Sequence, residues 1–269
     1  MDERAANIPQ SEANSHALSI IIPTLNEARS IGATLDALAR DVRGVEVIVV
    51  DGGSRDGTVE LVRGRGVKLI ESGRGRGRQM HAGACAAGGR ALWFLHADTL
   101  PSRECAPAIE EALRDSSVVA GNFDVLFDGP SSAARFLTWL YPRLRRLGLC
   151  YGDSGIFVRR DTYERIGGFR DFPIFEDLDL VRRLWKVGRV VHLRERVTTS
   201  SRRFEGRSFA LTFARWSLLQ ALYWLGVSPH TLARMYAHVR VAGSKTKRRA
   251  RTSKSGGGHT HQDTGREEA

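Results

Sequence analysis

Cysteine is scarce in this chain: Cys85, Cys105 and Cys150 are the only three in 269 residues, and none is closely paired with another. Such spacing offers no metal or disulfide framework and predicts reduced, mostly buried thiols in a cytosolic protein. Uninterrupted apolar runs of 18 or more residues are absent, so no transmembrane helix is predicted. Residues 1–17 are polar and lack the apolar segment of a secretory signal, which predicts a disordered N-terminus and a cytoplasmic location. A dinucleotide fingerprint is missing too, because Met80 stands where G-x-G-x-x-G needs its third glycine.

Acidic residues are missing from one stretch in particular. Arg240 to Lys254 holds seven basic residues and no acid, and without it the net charge falls from +11 to +4. The basic excess reads as a solvated, disordered tail over residues 241–269, with attraction to anionic lipid head groups as the sharper alternative. No aromatic residue interleaves those charges, so no specific nucleic-acid partner is expected.

What is present is an ordinary globular apolar content of 42%, enough for one large α/β domain. Apolar, β-branched runs at residues 18–22, 45–50, 67–71 and 91–95 predict strands buried on both faces. Helices are predicted between them at 31–41, where Ile31, Leu35 and Leu38 share a face, and at 56–64 and 78–87. This alternation predicts a doubly wound parallel sheet. The pattern changes after Asp98. Helices are expected at 101–114, 131–146 and 176–187, a half-exposed strand at 121–127, and short strands at 154–158 and 190–193. Two further helices, 209–225 and 229–239, follow. The first is apolar nearly all round and suits core, a dimer surface or a membrane surface.

Four places carry residues suited to chemistry. In V-E-V-I-V-V-D-G-G-S-R-D-G-T, Asp51 stands where a buried strand meets its loop, the position at which open α/β sheets bind ligands. Gly52 and Gly53 allow close backbone approach, and Ser54 or Asp56 can cap the next helix. A tight soluble turn is the bland alternative. In H-A-D, the extended-chain period of two would point His96 and Asp98 the same way, toward a divalent ion or phosphate. A carboxylate suits Mg²⁺ or Mn²⁺, and imidazole suits Mn²⁺ better. In G-R-G-R-G-R, Arg74 and Arg78 suit a diphosphate, whereas Arg76 reads as an exposed basic residue. In F-E-D-L-D, Glu176, Asp177 and Asp179 open a helix, where capping explains them fully unless one faces a cleft as a general base.

The order of these motifs carries a resemblance. P-T-L-N-E, V-D-G-G-S-R-D-G-T, H-A-D, G-D-S-G-I-F-V-R-R and E-D over about residues 18–204 resemble the inverting, nucleotide-sugar glycosyltransferases of family 2. G-R-G-R-G-R-Q-M and H-A-D-T are most similar to the subgroup tied to arsenosugar biosynthesis, found beside radical-SAM and selenoprotein-like domains. The resemblance implies an α/β fold of GT-A type: a Rossmann-like, mostly parallel sheet with flanking helices and C-terminal helices. It implies one such domain over residues 18–240, with a nucleotide-binding half at 18–100, an acceptor half at 101–204 and C-terminal helices at 205–240.

It also implies roles for individual residues. Pro23, Glu27, Asp51 and Gly53 would contact the donor nucleoside, with Arg74, Arg78 and Arg203 on its diphosphate. Asp98 and His96 would hold Mn²⁺ or Mg²⁺, with His96 replacing the first acid of the family's D-x-D. Asp177 would be the catalytic base, and Gly152, Asp153 and Glu176 would shape the acceptor side. The acceptor would be a small molecule or lipid-linked, with peripheral contact at the inner membrane face and a homodimer as further expectations. The alternatives are a sugar-phosphate nucleotidyltransferase, or a non-catalytic nucleotide or membrane-surface binding module. The first would want a glycine-rich, basic loop where this chain has P-T-L-N-E-A-R.

Overall fold

The computed structural model describes residues 17–146, 151–201 and 209–235. Within them strands β1 (Leu18–Thr24), β2 (Glu46–Asp51), β3 (Lys68–Glu71), β4 (Ala91–Phe94), β5 (Thr99–Pro101), β6 (Val118–Phe127), β7 (Phe157–Arg159) and β8 (Arg189–Thr199) form one sheet. The strand order is β3-β2-β1-β4-β7-β6-β8-β5. Strands β1 to β4 pair in parallel, as their apolar runs predict, and β6 pairs in parallel with β8. Antiparallel β7 joins these two parallel groups, and β5 adds an antiparallel edge to β8. The result is a mixed α/β sheet, parallel at four of its seven pairings.

Side-chain alternation along β1 divides the core between the two faces of the sheet. Ile20 and Ile22 pack with α1 (Ile31–Asp41) and α4 (Cys105–Ala112), while Ile21 packs with α3 (Arg76–Ala86) and α7 (Glu176–Leu184). All three isoleucines are fully buried, each stabilising by about 1.5–3 kcal/mol. The predicted α1 face is the buried one, with Ile31, Leu35 and Leu38 turned inward. The remaining helices are α2 (Thr58–Arg63), α5 (Ser132–Arg146), α6 (Arg160–Arg165) and α8 (Phe209–Trp224). The chain divides into two compact units, Met1–Trp216 and Ser217–Ala269. Residues 229–235 are helical. Among the described residues no helix is long and apolar enough to cross a membrane.

Several local expectations are corrected. β6 is not half-exposed: it lies between β7 and β8 and is covered on both faces, so eight of its ten residues are buried. The strand expected at 154–158 starts only at Phe157, because Gly152–Ser154 closes into a 3₁₀ turn. β5 and α6 are too short for periodicity to reveal. Cys85 is exposed rather than buried, while Cys105 is buried. Arg203, Phe204, Cys150, residues 1–16 and the basic tail lie outside the described residues.

Candidate active site

Because β1, β2 and β4 are parallel, their carboxyl ends share one edge of the sheet, with Thr24 opposite Asp51 and Ile21 opposite Phe94. This is where such sheets bind ligands. β7 runs against β4 with Phe157 opposite Trp93, so the G-D-S-G turn that precedes β7 arrives at the same edge. The Phe94 N–H donates to the Ile156 carbonyl at 2.8 Å and locks the two segments together. P-T-L-N-E, D-G-G-S, H-A-D and G-D-S-G therefore meet in space, although they span well over a hundred residues of sequence.

The first two motifs are stitched to each other. Asn26 N–H donates to Ser54 Oγ at 2.8 Å, Glu27 N–H to Thr58 Oγ1 at 2.9 Å, Ala28 N–H to Asp56 Oδ2 at 3.1 Å, and Arg55 N–H to Asn26 Oδ1 at 2.8 Å. Ser54 and Asp56 thus clasp the neighbouring loop, and the N-cap of α2 is Gly57, a correction to the capping role expected of them. Asp56 keeps part of that role by accepting the Thr58 N–H at 3.2 Å. Asp51 is buried, and its carboxylate organises its own loop. Oδ2 accepts the Gly53 and Ser54 N–H groups at 2.8 Å each, and Oδ1 accepts the Ser54 and Thr24 hydroxyls. Pro23 and Glu27 are half-buried at the same edge.

The second cluster is built around α7. Phe175, its N-cap, sits in the left-handed region at φ 62°, a costly conformation for a bulky residue. The helix it opens carries Glu176 and Asp177 inward, 1% and 6% exposed. Asp177 Oδ2 accepts the Gly152 N–H at 2.6 Å, and Oδ1 accepts the Leu178 N–H at 2.8 Å. His96 Nδ1 lies 2.9 Å from Asp153 Oδ1, and the Tyr141 hydroxyl approaches Asp153 Oδ2 at 3.4 Å. Glu176 forms an ion pair with Arg76. Burial, then the neighbouring Glu176 charge, hold the Asp177 carboxyl above the usual carboxylate range, against the pull of Arg76. Burial alone would lower the Arg76 guanidinium, but Glu176, Asp177 and Asp153 hold it above its ordinary value.

Arg76 is the largest correction to the sequence reading. Expected as an exposed loop residue, it opens α3 and reaches the acidic pair. Arg74 is exposed, and Arg78 pairs with Asp171 on the surface. Helix α3 begins at residue 76, two residues earlier than the apolar pattern suggested, which turns Arg76 inward. Two contacts set its position. Buried Gln79 donates to the carbonyls of Thr24 at 2.7 Å and Val50 at 2.8 Å, hanging α3 from the ends of β1 and β2. At Gly77 a Cβ would meet the Arg170 carbonyl at 2.8 Å and Glu176 Cβ at 3.2 Å, so only glycine lets α3 approach α7 this closely. Sequence reasoning missed Gln79 as well, along with Asn122 in β6. Asn122 Nδ2 donates to Ser154 Oγ at 3.2 Å, and its Oδ1 accepts from His192 Nδ1 at 2.7 Å, bracing the G-D-S-G turn from β8. The Q-M that ends the glycine-arginine motif was the available signal for Gln79; a lone Asn within a strand gave none.

For a metal, Asp98 offers a half-buried carboxylate at the sheet edge. Residues 97–98 form a turn rather than extended chain, so the period-two argument that pointed His96 and Asp98 the same way does not hold. Among the described residues no three His, Cys, Asp or Glu side chains converge as a metal-binding group. A hard carboxylate at this edge fits an ion whose remaining positions come from a diphosphate, as with substrate-bound Mg²⁺.

Residues 19–163 match the family model described as "Glycosyl transferase family 2". The chain is 24% identical over 212 residues to the probable glycosyltransferase YdaM of Bacillus subtilis, covering 68% of this chain and 50% of that one. It is 41% identical over 88 residues to the PGL/p-HBAD biosynthesis glycosyltransferase of Mycobacterium tuberculosis, covering 30% and 34%. Half or less of each of those two relatives is spanned. Among solved structures, the mannosyltransferase PcManGT of Pyrobaculum calidifontis, in complex with GDP-Man and Mn²⁺, superposes with a TM-score of 0.61 at 23% identity, over 77% of this chain and 62% of that one. That likeness establishes the GT-A fold.

Proposed function

From the premise that the chain belongs to glycosyl transferase family 2, we propose that it is an inverting transferase moving a sugar from a nucleoside diphosphate to an acceptor hydroxyl. The observation that carries this reading is buried Asp177, held by the Gly152 N–H and ion-paired neighbours at the sheet edge that binds ligands. Asp177 accepts the acceptor's hydroxyl proton as that oxygen attacks the anomeric carbon opposite the diphosphate. Its raised affinity for a proton makes it the stronger base, and the Arg76 charge opposes that rise and so favours the ionised form. Pro23, Glu27, Asp51 and Gly53 line the nucleoside side. Asp51 acts there by fixing the backbone of Gly53 and Ser54, with Arg74, Arg78 and Arg203 offered to the diphosphate. Asp98 would hold Mn²⁺ or Mg²⁺, which supplies charge stabilisation for the leaving diphosphate. The Mn²⁺ and GDP-Man bound by PcManGT support both the ion and the donor class.

The finer assignment to arsenosugar biosynthesis rests on G-R-G-R-G-R-Q-M and H-A-D-T. Peripheral contact with an anionic membrane is supported by α5. Phe136 and Trp139 are 40% and 53% exposed there, Arg143 lies 3.8 Å over the Trp139 ring, and the helix carries no acid. Calorimetric titration with UDP, GDP and CDP, with and without Mn²⁺, tests the donor reading. Metal-dependent binding of one nucleotide is expected, and binding of none would refute it.

A further inference from the structure

The edge of the sheet opposite the candidate active site gathers charge of one sign. β1 and β4 begin there, with the Ala17 carbonyl accepting the Ala91 N–H at 3.0 Å, and β7 ends there with Arg159 opposite Ala91. Between these strand ends, α4 and the turn after it lies a cavity of about 270 Å³. Its floor is apolar, because Leu18, Ala91 and Ile109 are buried core residues. Arg90, Arg114 and Arg159 also line it, against the single acid Glu110. A cleft with apolar walls and an excess of one charge concentrates counter-ions of the other.

The three arginines differ in what they already hold. Arg159 is half-buried; its Nε donates to the Val118 carbonyl at 2.7 Å, and its Nη2 to the carbonyls of Leu113 and Asp115. The guanidinium thereby closes the carboxyl end of α4. Carbonyls leave its charge unneutralised, and Nη1 donates to none of the described residues. Asp115, whose carboxyl feels this charge, is held by Arg189 and Ser117. Arg90 is exposed, and its side chain has no hydrogen-bond or ion-pair partner among the described residues. Arg114 pairs with Glu111 at 2.9 Å across the surface, where both side chains are mostly exposed and water competes. Donors and positive charge are thus left over beside an apolar floor.

We propose that this cavity is a second ligand site, for a small organic acid: a carboxylate carried on a short alkyl or aryl body. The apolar part lies over Leu18, Ala91 and Ile109, and the carboxylate accepts from Arg90 and from Nη1 of Arg159. The volume is below the roughly 300–1,000 Å³ usual for drug-sized ligands, which limits the body to the size of hexanoate or benzoate. Inorganic phosphate brings the charge without the body, and an alcohol the body without the charge, so neither satisfies both halves. The site shares no residue with the donor and acceptor machinery, and it stands independently of the transferase reading.

The test is titration of the full chain, labelled for amide NMR, with sodium hexanoate and sodium benzoate. Saturable shifts are expected at Leu18, Ala91 and Leu113, with a Kd of about 1 mM or tighter. n-Hexanol, benzyl alcohol and inorganic phosphate should each bind at least about fivefold more weakly. Arg90→Gln should weaken hexanoate by about fivefold, and Glu110→Gln should tighten it. Both residues are exposed, so neither change disturbs the core. Saturating UDP with Mn²⁺ should leave the affinity unchanged, because nucleotide belongs at the other edge. Equal binding of hexanol would reduce the cavity to an apolar groove, and equal binding of phosphate to a plain anion site. Displacement by UDP would place the acid in the donor site. Each of these overturns the proposal, as does the absence of saturable shifts.

Discussion

Replacing Arg76 by Gln should damage stability and chemistry together, because one guanidinium serves both. Glu176 is 1% exposed, and its ion-pair partner is Arg76. Removing one member of a fully buried pair costs about 3–5 kcal/mol, since the remaining charge is stranded. The Arg76 side chain is 38% exposed, so water partly replaces it. A cost of about 2–3 kcal/mol is therefore expected. For a chain of this size that lowers Tm by roughly 4–10 °C. Arg76 also opposes the rise in the Asp177 pKa, so its loss should move the acid limb of the rate profile to higher pH, by about 1.4 kcal/mol of lost ionisation per unit. Thermal melts and pH–rate profiles of Arg76→Gln, Glu176→Gln and the double variant read both effects, with the double variant recovering much of the stability. An Arg76→Gln protein with an unchanged Tm and an unchanged acid limb would refute the reasoning.

Three further variants have expected outcomes. Asp177→Asn should bind nucleotide like the native chain yet abolish transfer; retained turnover would remove Asp177 as base. A carboxyl whose folded-state pKa is raised gives stability that is present at low pH and lost as pH climbs from the unfolded value of about 4 through the folded one. Urea titrations across that window should therefore show the native chain losing ground to Asp177→Asn, and a parallel pH dependence would contradict the raised pKa. Asp98→Ala should eliminate the Mn²⁺-dependent part of nucleotide affinity in calorimetry, and an unchanged metal dependence would end its role as ligand. Gly77→Ala drives a methyl into the Arg170 carbonyl, 2.8 Å away, and should cost about 1–3 kcal/mol in denaturant melts. A neutral result would show that α3 can shift away from α7.

The nucleotide-side half of the fold was legible because its strands are continuous β-branched runs and its helix faces are periodic. β1, β2, β4 and α1 fall where Leu18–Ile22, Val45–Val50, Ala91–Leu95 and the Ile31–Leu38 stripe put them. The second half was harder to read because its elements owe their shape to partners distant in sequence. β7 is three residues long and exists by pairing between β4 and β6. The inward turn of Arg76 could not be read from the glycine-arginine loop, since it depends on Gln79 gripping two strand ends and Gly77 admitting α7. The E-D pair was visible, but its burial was not. Charges at a helix start are ordinarily solvated caps, and here the strained Phe175 and the Gly152 N–H draw Asp177 inside instead. His96 and Asp98 show the converse. Their spacing suggested convergence in an extended chain, and a turn at 97–98 removes the premise.

The central claim is attack on the anomeric carbon from the face opposite the diphosphate, with Asp177 taking the proton. Proton NMR of an α-linked nucleotide sugar, followed from the first minutes of incubation with the full chain and Mn²⁺, reads this directly through the anomeric coupling of the newly formed product. The account predicts a β product at first, before any mutarotation, and none from Asp177→Asn. An α product, or a β product formed equally well by Asp177→Asn, would contradict it.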